Sequence, residues 1–340
     1  MSQLKFLVAS LWITMLFCTH AQAQPQSERG NSAGSGKFEF ALIGDMPYRA
    51  DDYWKFDNVI RAINANEQLA WVLHAGDIKS GSSRCSDELF LDRLERFQRF
   101  KIPFILTPGD NEWTDCHRIF AGSYSPLERL ARLRQIFYPR PGVSLGQKTM
   151  TVQSQANDPN FPEFVENVRW MRNQVLFATL HIVGSNNGLA PFAARTQADD
   201  DEVARRINAA VSWIKQAFDE ANAMNARGVF LLFQANPRFE GAKGKPARQG
   251  FEEILQAFEQ AAVDFGKPVM LAHGDSHYFR VDKPMRGSVS HLRLGNVTRV
   301  ETFGDRDVHW VRVVVDADTP EVFTIQQEII EQNQKSYSLF

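Results

Sequence analysis

The chain has 340 residues, 44% of them hydrophobic and 23% charged, which is ordinary for a folded protein with a sizeable core. A formal charge of −2, with no basic stripe interleaved with aromatics, argues against a nucleic-acid surface. No apolar run beyond the N-terminal segment approaches the length of a membrane span.

Lys5 precedes an apolar run from Phe6 to Cys18, and Ala21-Gln22-Ala23 follows, a pattern that predicts a secretory signal peptide over residues 1–23. Phe17 is too bulky before Cys18 for lipoprotein processing. Residues 24–36, rich in Gln, Ser, Asn and Gly, have little to bury and read as a flexible leader. Cleavage removes one lysine and no acid, moving the formal charge to −3, and leaves two cysteines, Cys85 and Cys116. Export to a periplasm or the exterior favours their bridging.

From residue 37 to 340 the pattern predicts a single domain, with no linker and no internal repeat. Phe38–Ile43, Ala70–His74 and Ile102–Thr107 read as strands, and the segments between them carry helical apolar spacing at Trp54, Val59, Ile60 and Ile63, then at Leu89, Phe90, Leu94 and Phe97. Spacings of 32 and 33 residues between Asp45, Asp77 and Asp110 match βαβ units, which make neighbouring strands parallel and gather their carboxyl ends on one edge. That geometry places Cys85 and Cys116 in adjacent loops, so a disulfide between them is expected.

Ser125 caps a helix with Pro126 at its first position, running through Leu130, Leu133 and Phe137. Residues 140–160 read as an excursion with a short strand near Thr149–Gln153. Val175–Val183 is a strand, and Asn186-Asn187-Gly188 a turn. Val203, Ile207, Val211, Ile214 and Phe218 stripe a long helix that Gly228 is expected to end. Val229–Phe233 is a strand, Phe251–Phe265 a helix, Pro268–Ala272 a strand, and the chain from Ser290 alternates like antiparallel strands. The predicted class is α/β with two packed sheets.

Gly44-Asp45, Gly76-Asp77, Gly109-Asp110 and Gly274-Asp275 each follow an apolar run. A glycine there lets the chain turn sharply and carries the carboxylate into the crevice at the strand ends. Carboxylates crowded on one edge repel unless cations neutralise them, and oxygen ligands suit hard divalent ions.

With the motifs GDMPY (44–48), HAGDIKSG (74–81), PGDNEW (108–113), LLFQANP (231–237) and HGDSH (273–277), the chain resembles the calcineurin-like metallophosphoesterases. The resemblance implies a four-layer α/β/β/α sandwich of two mixed sheets flanked by helices, and two metal ions that activate water against a small phosphorylated substrate. It also assigns roles. Asp45 and His277 match metal ligands, Asp77 the bridging aspartate, and Asp275 the site of a ligating histidine. Asp110 stands where the family has asparagine. Pro47 replaces a histidine ligand, and Tyr48 falls where the purple acid phosphatase branch places a tyrosine ligand. Gln234 lies close to the position of another histidine.

Replacing imidazoles by oxygen ligands favours Mn, Mg or Ca over Zn or Fe. Asn111 stands in the place of the histidine that helps catalysis as a proton donor, which leaves His117 and His273 as candidate sources of the proton. The same losses describe a second reading: a catalytically weakened or inactive relative that binds metal or a phosphorylated ligand. A serine esterase built on Ser276 lacks the Gly-x-Ser-x-Gly elbow.

Overall fold

In β1 (Lys37–Ile43) the stretch from Phe40 onward is apolar on both faces, and the computed structural model shows why. Phe38, Phe40 and Leu42 point into a core between two sheets, whereas Ala41 and Ile43 point into a core between a sheet and its helices. A strand covered on both sides loses the polar alternation of a surface strand. The structure describes Met1 and residues 36–334. The expected signal peptide and leader fall almost wholly outside the described residues.

After β1 come α1 (Tyr53–Ala65), β2 (Leu69–His74), α2 (Asp87–Phe97), β3 (Phe104–Leu106) and α3 (Pro126–Phe137). The chain continues through β4 (Gln153–Ser154), β5 (Val168–Arg172), β6 (Val175–Thr179), α4 (Gln197–Ala223), β7 (Gly228–Leu232), α5 (Glu252–Phe265) and β8 (Val269–His273). The last strands are β9 (Arg280–Asp282), β10 (Val297–Glu301), β11 (Trp310–Asp316) and β12 (Phe323–Glu328). One sheet has the order β12-β11-β1-β2-β3 and the other β4-β5-β6-β7-β8-β10-β9.

Both sheets are mixed. β1, β2 and β3 are parallel, and β11 closes antiparallel on β1. In the second sheet β6, β7, β8 and β10 are parallel, with antiparallel strands at the margins. Aromatic side chains fill the space between the sheets: the Phe40 ring lies 5.6 Å from Trp71 and 5.1 Å from Phe230, and Trp71 stands edge-on to Trp170 at 5.5 Å. The helices α1, α2 and α3 cover the outer face of the first sheet, and α4 and α5 that of the second. The result is the four-layer α/β/β/α sandwich. Truncating a side chain in the middle layer, such as Phe40, removes contacts from both sheets at about 3–5 kcal/mol.

Three expectations are corrected. The long helix does not end at Gly228: it stops at Ala223, with Met224 as cap and Asn225 at φ 50°. Gly228 instead opens β7, where a Cβ would crowd Val322 at 3.0 Å and Phe323 at 3.2 Å. Strand β5 was not anticipated, because its turn to β6 is Asn173-Gln174, with both residues at positive φ, and the usual glycine is missing. Lastly, β10 lies parallel to β8, so the C-terminal part is not wholly antiparallel.

Candidate metal centre

Four strand ends meet at one crevice: those of β1, β2, β3 and β8 lead directly to Asp45, Asp77, Asp110 and Asp275. Three of these aspartates, with φ of 53° at Asp45, 55° at Asp77 and 79° at Asp275, are left-handed, and His277 joins them at 58°. Such conformations are strained for residues other than glycine and persist where surrounding structure holds them. The glycines before them serve chiefly another purpose. A Cβ on Gly109 would lie 2.1 Å from Asp77 Oδ1, one on Gly274 2.1 Å from Asp45 Oδ2, and one on Gly184 2.6 Å from Asp110 Oδ1. Each absent side chain makes room for a carboxylate from a neighbouring loop. The sharp turn expected of the glycine itself occurs only at Gly76 (φ 80°) among the four pairs.

The carboxylates are fixed by backbone donors. The Asp275 N–H donates to both oxygens of Asp45 at 3.1 Å, and the Asn111 N–H to Asp77 Oδ1 at 3.1 Å. Asn111 Nδ2 also donates to Asp77 Oδ2 at 2.8 Å and to Tyr48 Oη at 3.2 Å. Asp275 Oδ2 accepts from the Asn236 N–H at 2.8 Å. His277 is oriented by Nδ1, 2.7 Å from the Asp305 carbonyl, which turns Nε2 toward Asp45 Oδ1 at 3.4 Å and Tyr48 Oη at 3.0 Å.

Tyr48 is at the middle of this set. Its hydroxyl lies within 3.4 Å of Asp45 Oδ1, Asp77 Oδ2 and His277 Nε2, yet it carries a single proton. Burial, then the charges of Asp77, Asp45 and Asp110, hold the phenol well above its ordinary pKa. Burial and the charge of Asp110, followed by those of Glu112, Asp45 and Asp275, hold Asp77 well above the usual carboxylate range. Burial and Asp110 likewise raise Asp275 to about 7. Burial also raises Asp45. It pulls His277 the other way, but the hydrogen bond and charge of Asp45 outweigh it and bring the imidazole up to about 9.

These observations bear on whether a cation belongs here. Lone pairs outnumber protons around Tyr48, Asp110 Oδ1 is buried with no hydrogen-bond partner, and buried carboxylates repel one another. A donor set of carboxylate oxygens with one imidazole fits a hard divalent ion in kind. In arrangement, no group of three or more His, Cys, Asp and Glu among the described residues is drawn together as a ligand cluster. The Tyr48 hydroxyl stands between Asp45, Asp77 and His277 instead.

Gln234 is buried beside Gly76; its Oε1 accepts the Gly184 N–H at 2.6 Å and its Nε2 has no partner. His273 is buried within β8, stacked on Phe233 at 5.6 Å with Nδ1 on the Gly274 carbonyl, and burial lowers it to about 3. His117 stacks on Phe192 at 4.3 Å, with Nδ1 on the Thr114 carbonyl, rather than among the aspartates. Cys85 and Cys116 form a disulfide, with Cα atoms 5.8 Å apart, that joins the loops after β2 and β3.

Sequence reasoning missed Glu112. Buried in the PGDNEW motif, it accepts the N–H groups of Asp77 (3.1 Å), Ile78 (3.3 Å) and Gly109 (2.6 Å), clamping two aspartate-bearing loops together. An acid in mid-motif was the available signal. Ser185 Oγ lies 2.8 Å from both Asp110 Oδ2 and Asp115 Oδ1, with one proton to share between them; the turn beside it was readable from Asn186-Asn187-Gly188, but its contact with Asp110 was not.

Comparison with known proteins places the fold. The family model described as calcineurin-like phosphoesterase matches residues 38–224. Among solved structures, PhoD superposes with a TM-score of 0.50 at 12% identity, over 86% of this chain and 68% of that one. GAP50, the anchor in the inner membrane complex of Plasmodium, gives 0.43 at 11%, over 87% and 89%. The phosphopantetheinyl hydrolase of Mycobacterium tuberculosis gives 0.39 at 15%, over 80% and 92%. No curated protein sequence matches the chain.

Proposed function

Since the chain belongs to the calcineurin-like phosphoesterase family, we propose that it is a metal-dependent phosphoester hydrolase whose centre is built from Asp45, Asp77, Asp110, Asp275 and His277, with Tyr48 and Gln234 beside them. The observation that carries this reading is the convergence of four strand-end aspartates, with Asp45, Asp77 and Asp110 buried, Asp275 half-buried, and glycines on neighbouring loops cleared to admit the three buried ones. When bound, a pair of hard divalent ions, Mn, Mg or Ca before Zn or Fe, supplies an activated water and polarises the phosphoryl oxygens. Asp77, positioned by Asn111 donating to both of its oxygens, would hold a bound ion together with the neighbouring aspartates. Asp45, Asp110, Asp275 and His277 would supply the remaining ligands.

Asn111 holds Asp77 and Tyr48 by donation and has no proton to release to a leaving group. General-acid help worth about 10²–10⁴-fold is therefore missing at that position. Aryl esters, whose leaving groups need no proton, are accordingly the favoured substrates. The disulfide supports an oxidising compartment, in keeping with export, and no described helix is long and apolar enough to cross a membrane.

A second reading, a metal- or phosphate-binding protein without turnover, is favoured by Asn111 itself and by the Tyr48 hydroxyl at the middle of the aspartates. The test separates them. Protein stripped of metal and reloaded with Mn, Mg, Ca or Zn is assayed on aryl phosphate mono- and diesters. Hydrolysis with at least one hard ion is expected; binding without turnover under any ion leaves the second reading.

A further inference from the structure

The loop after Asn111 carries a feature for which the metal centre has no use. Cys116 is bonded to Cys85, and the backbone closes behind it: Cys85 N–H donates to the Ala121 carbonyl and Tyr124 N–H to that of Cys116, both at 2.9 Å. Ser123 N–H donates to the Arg118 carbonyl and Gly122 N–H to that of Ile119, both at 3.1 Å. Ala121 is buried beneath, but at the tip of this pinned loop Ile119 is 84% exposed and Phe120 80%. Two adjacent large apolar side chains held in water by a rigid loop gain nothing within the fold, and such exposure marks contact surfaces.

Arg118 immediately precedes them. Its Nη2 pairs with Asp115 Oδ2 at 2.6 Å and reaches Ser185 Oγ at 3.5 Å, which ties it to the group that also bonds Asp110. Nη1 faces the other way: a Cβ on Gly81 would meet Nη1 at 3.1 Å and Asn111 Oδ1 at 2.9 Å, so the guanidinium and the residue bonded to Asp77 are neighbours across that glycine. The side chain remains 47% exposed. A guanidinium presents donors in a fixed fork matched to phosphate oxygens, and here one edge is anchored while the other borders the crevice. His117, on the same loop, stacks on Phe192 from the segment before α4.

We propose that residues 118–120 form a recognition tip for amphiphilic phosphoesters: Arg118 takes the phosphate, and Ile119 and Phe120 take a hydrocarbon group of several carbons esterified to it. The proposal rests on the crevice being a phosphoester site, and its test reads binding and turnover separately. Octyl and methyl phosphonate, which are not hydrolysed, are titrated below the micelle concentration into metal-loaded protein. Hydrolysis of p-nitrophenyl octyl and p-nitrophenyl methyl phosphate, which share one leaving group, is measured in parallel.

Wild type binds the octyl compound about tenfold more tightly, in proportion to the apolar area it covers. The Ile119→Ser/Phe120→Ser double variant, altered only at exposed positions, loses that preference and keeps its affinity for the methyl compound. Arg118→Gln weakens both ligands alike, by about 10- to 100-fold, and Arg118→Lys recovers part of the loss. Equal binding of the two ligands by wild type, or a preference that survives the double variant, overturns the proposal even if the enzyme turns over. The expected binding pattern without turnover upholds the tip and overturns hydrolysis. Vesicles of phosphatidylcholine and phosphatidylglycerol that bind wild type but not the double variant, with the octyl preference unchanged, make the tip a membrane contact and overturn it as a substrate element.

Discussion

Gly274→Ala should disable metal binding while leaving the fold standing. The added Cβ would lie 2.1 Å from Asp45 Oδ2 and 3.1 Å from its Cγ, more than 1 Å inside ordinary contact for the oxygen. The close atoms all belong to the Asp45 side chain, and Gly274 is not at positive φ, so the backbone tolerates alanine and the carboxylate must swing away. Swinging breaks both Asp275 N–H bonds and the approach of His277 Nε2 at 3.4 Å. Overpacking and lost charge-assisted bonds together amount to about 2–3 kcal/mol of stability. If Asp45 is a ligand as proposed, displacing it lowers affinity for Mn by about 100-fold. Gly295→Ala is the control, because a Cβ there meets nothing within 4 Å. Thermal unfolding and calorimetric Mn titration of both variants check the argument. Wild-type Mn affinity in Gly274→Ala would refute the view that this glycine exists to admit Asp45.

Two further outcomes follow from particular groups. Replacing Cys85 and Cys116 together by serine removes a cross-link between residues 31 apart and lowers stability by about 3–4 kcal/mol in urea unfolding, while melts of the wild type gain nothing from added oxidant. Glu166, buried against Arg134 at 2.6 Å and the Nδ1 of His181 at 2.6 Å, is held at about 2, below its ordinary 4.5: burial pushes it up, but the Arg134 charge and the His181 hydrogen bond outweigh that. A depressed carboxyl stabilises the fold above its unfolded pKa, so about 3 kcal/mol is present above pH 4.5 and is lost as pH falls from 4.5 toward 2. Burial lowers His181 too, which steepens the loss in acid. Glu166→Gln should be less stable at neutral pH and show a flatter acid limb; an unchanged limb would contradict this pairing.

The fold was largely legible because parallel strands separated by helices leave a repeating trace: apolar run, Gly-Asp, amphipathic stretch. What escaped lacked such a trace. Strand β5 carries Arg169 and Arg172 and turns through Asn173-Gln174 without a glycine, and β9 covers only three residues at a sheet margin. The aspartates were readable from their places at strand ends. The glycines were readable as special but for a partly wrong reason, since the carboxylates that Gly109 and Gly274 accommodate come from loops distant in sequence. Ser185 could not be found from sequence: Asn186-Asn187-Gly188 announced the turn, but the contact with Asp110 crosses 75 residues.

The centre stands or falls on Asp77, the aspartate that Asn111 and Tyr48 address together and that lies within the field of Asp45, Asp110 and Asp275. The decisive measurement is metal stoichiometry, by elemental analysis after equilibration with Mn, in wild type and in Asp77→Ala with its folding verified. Two ions per wild-type chain and the loss of at least one in the variant are expected. Equal stoichiometry in the two proteins, or none in the wild type, would contradict a metal centre held by Asp77.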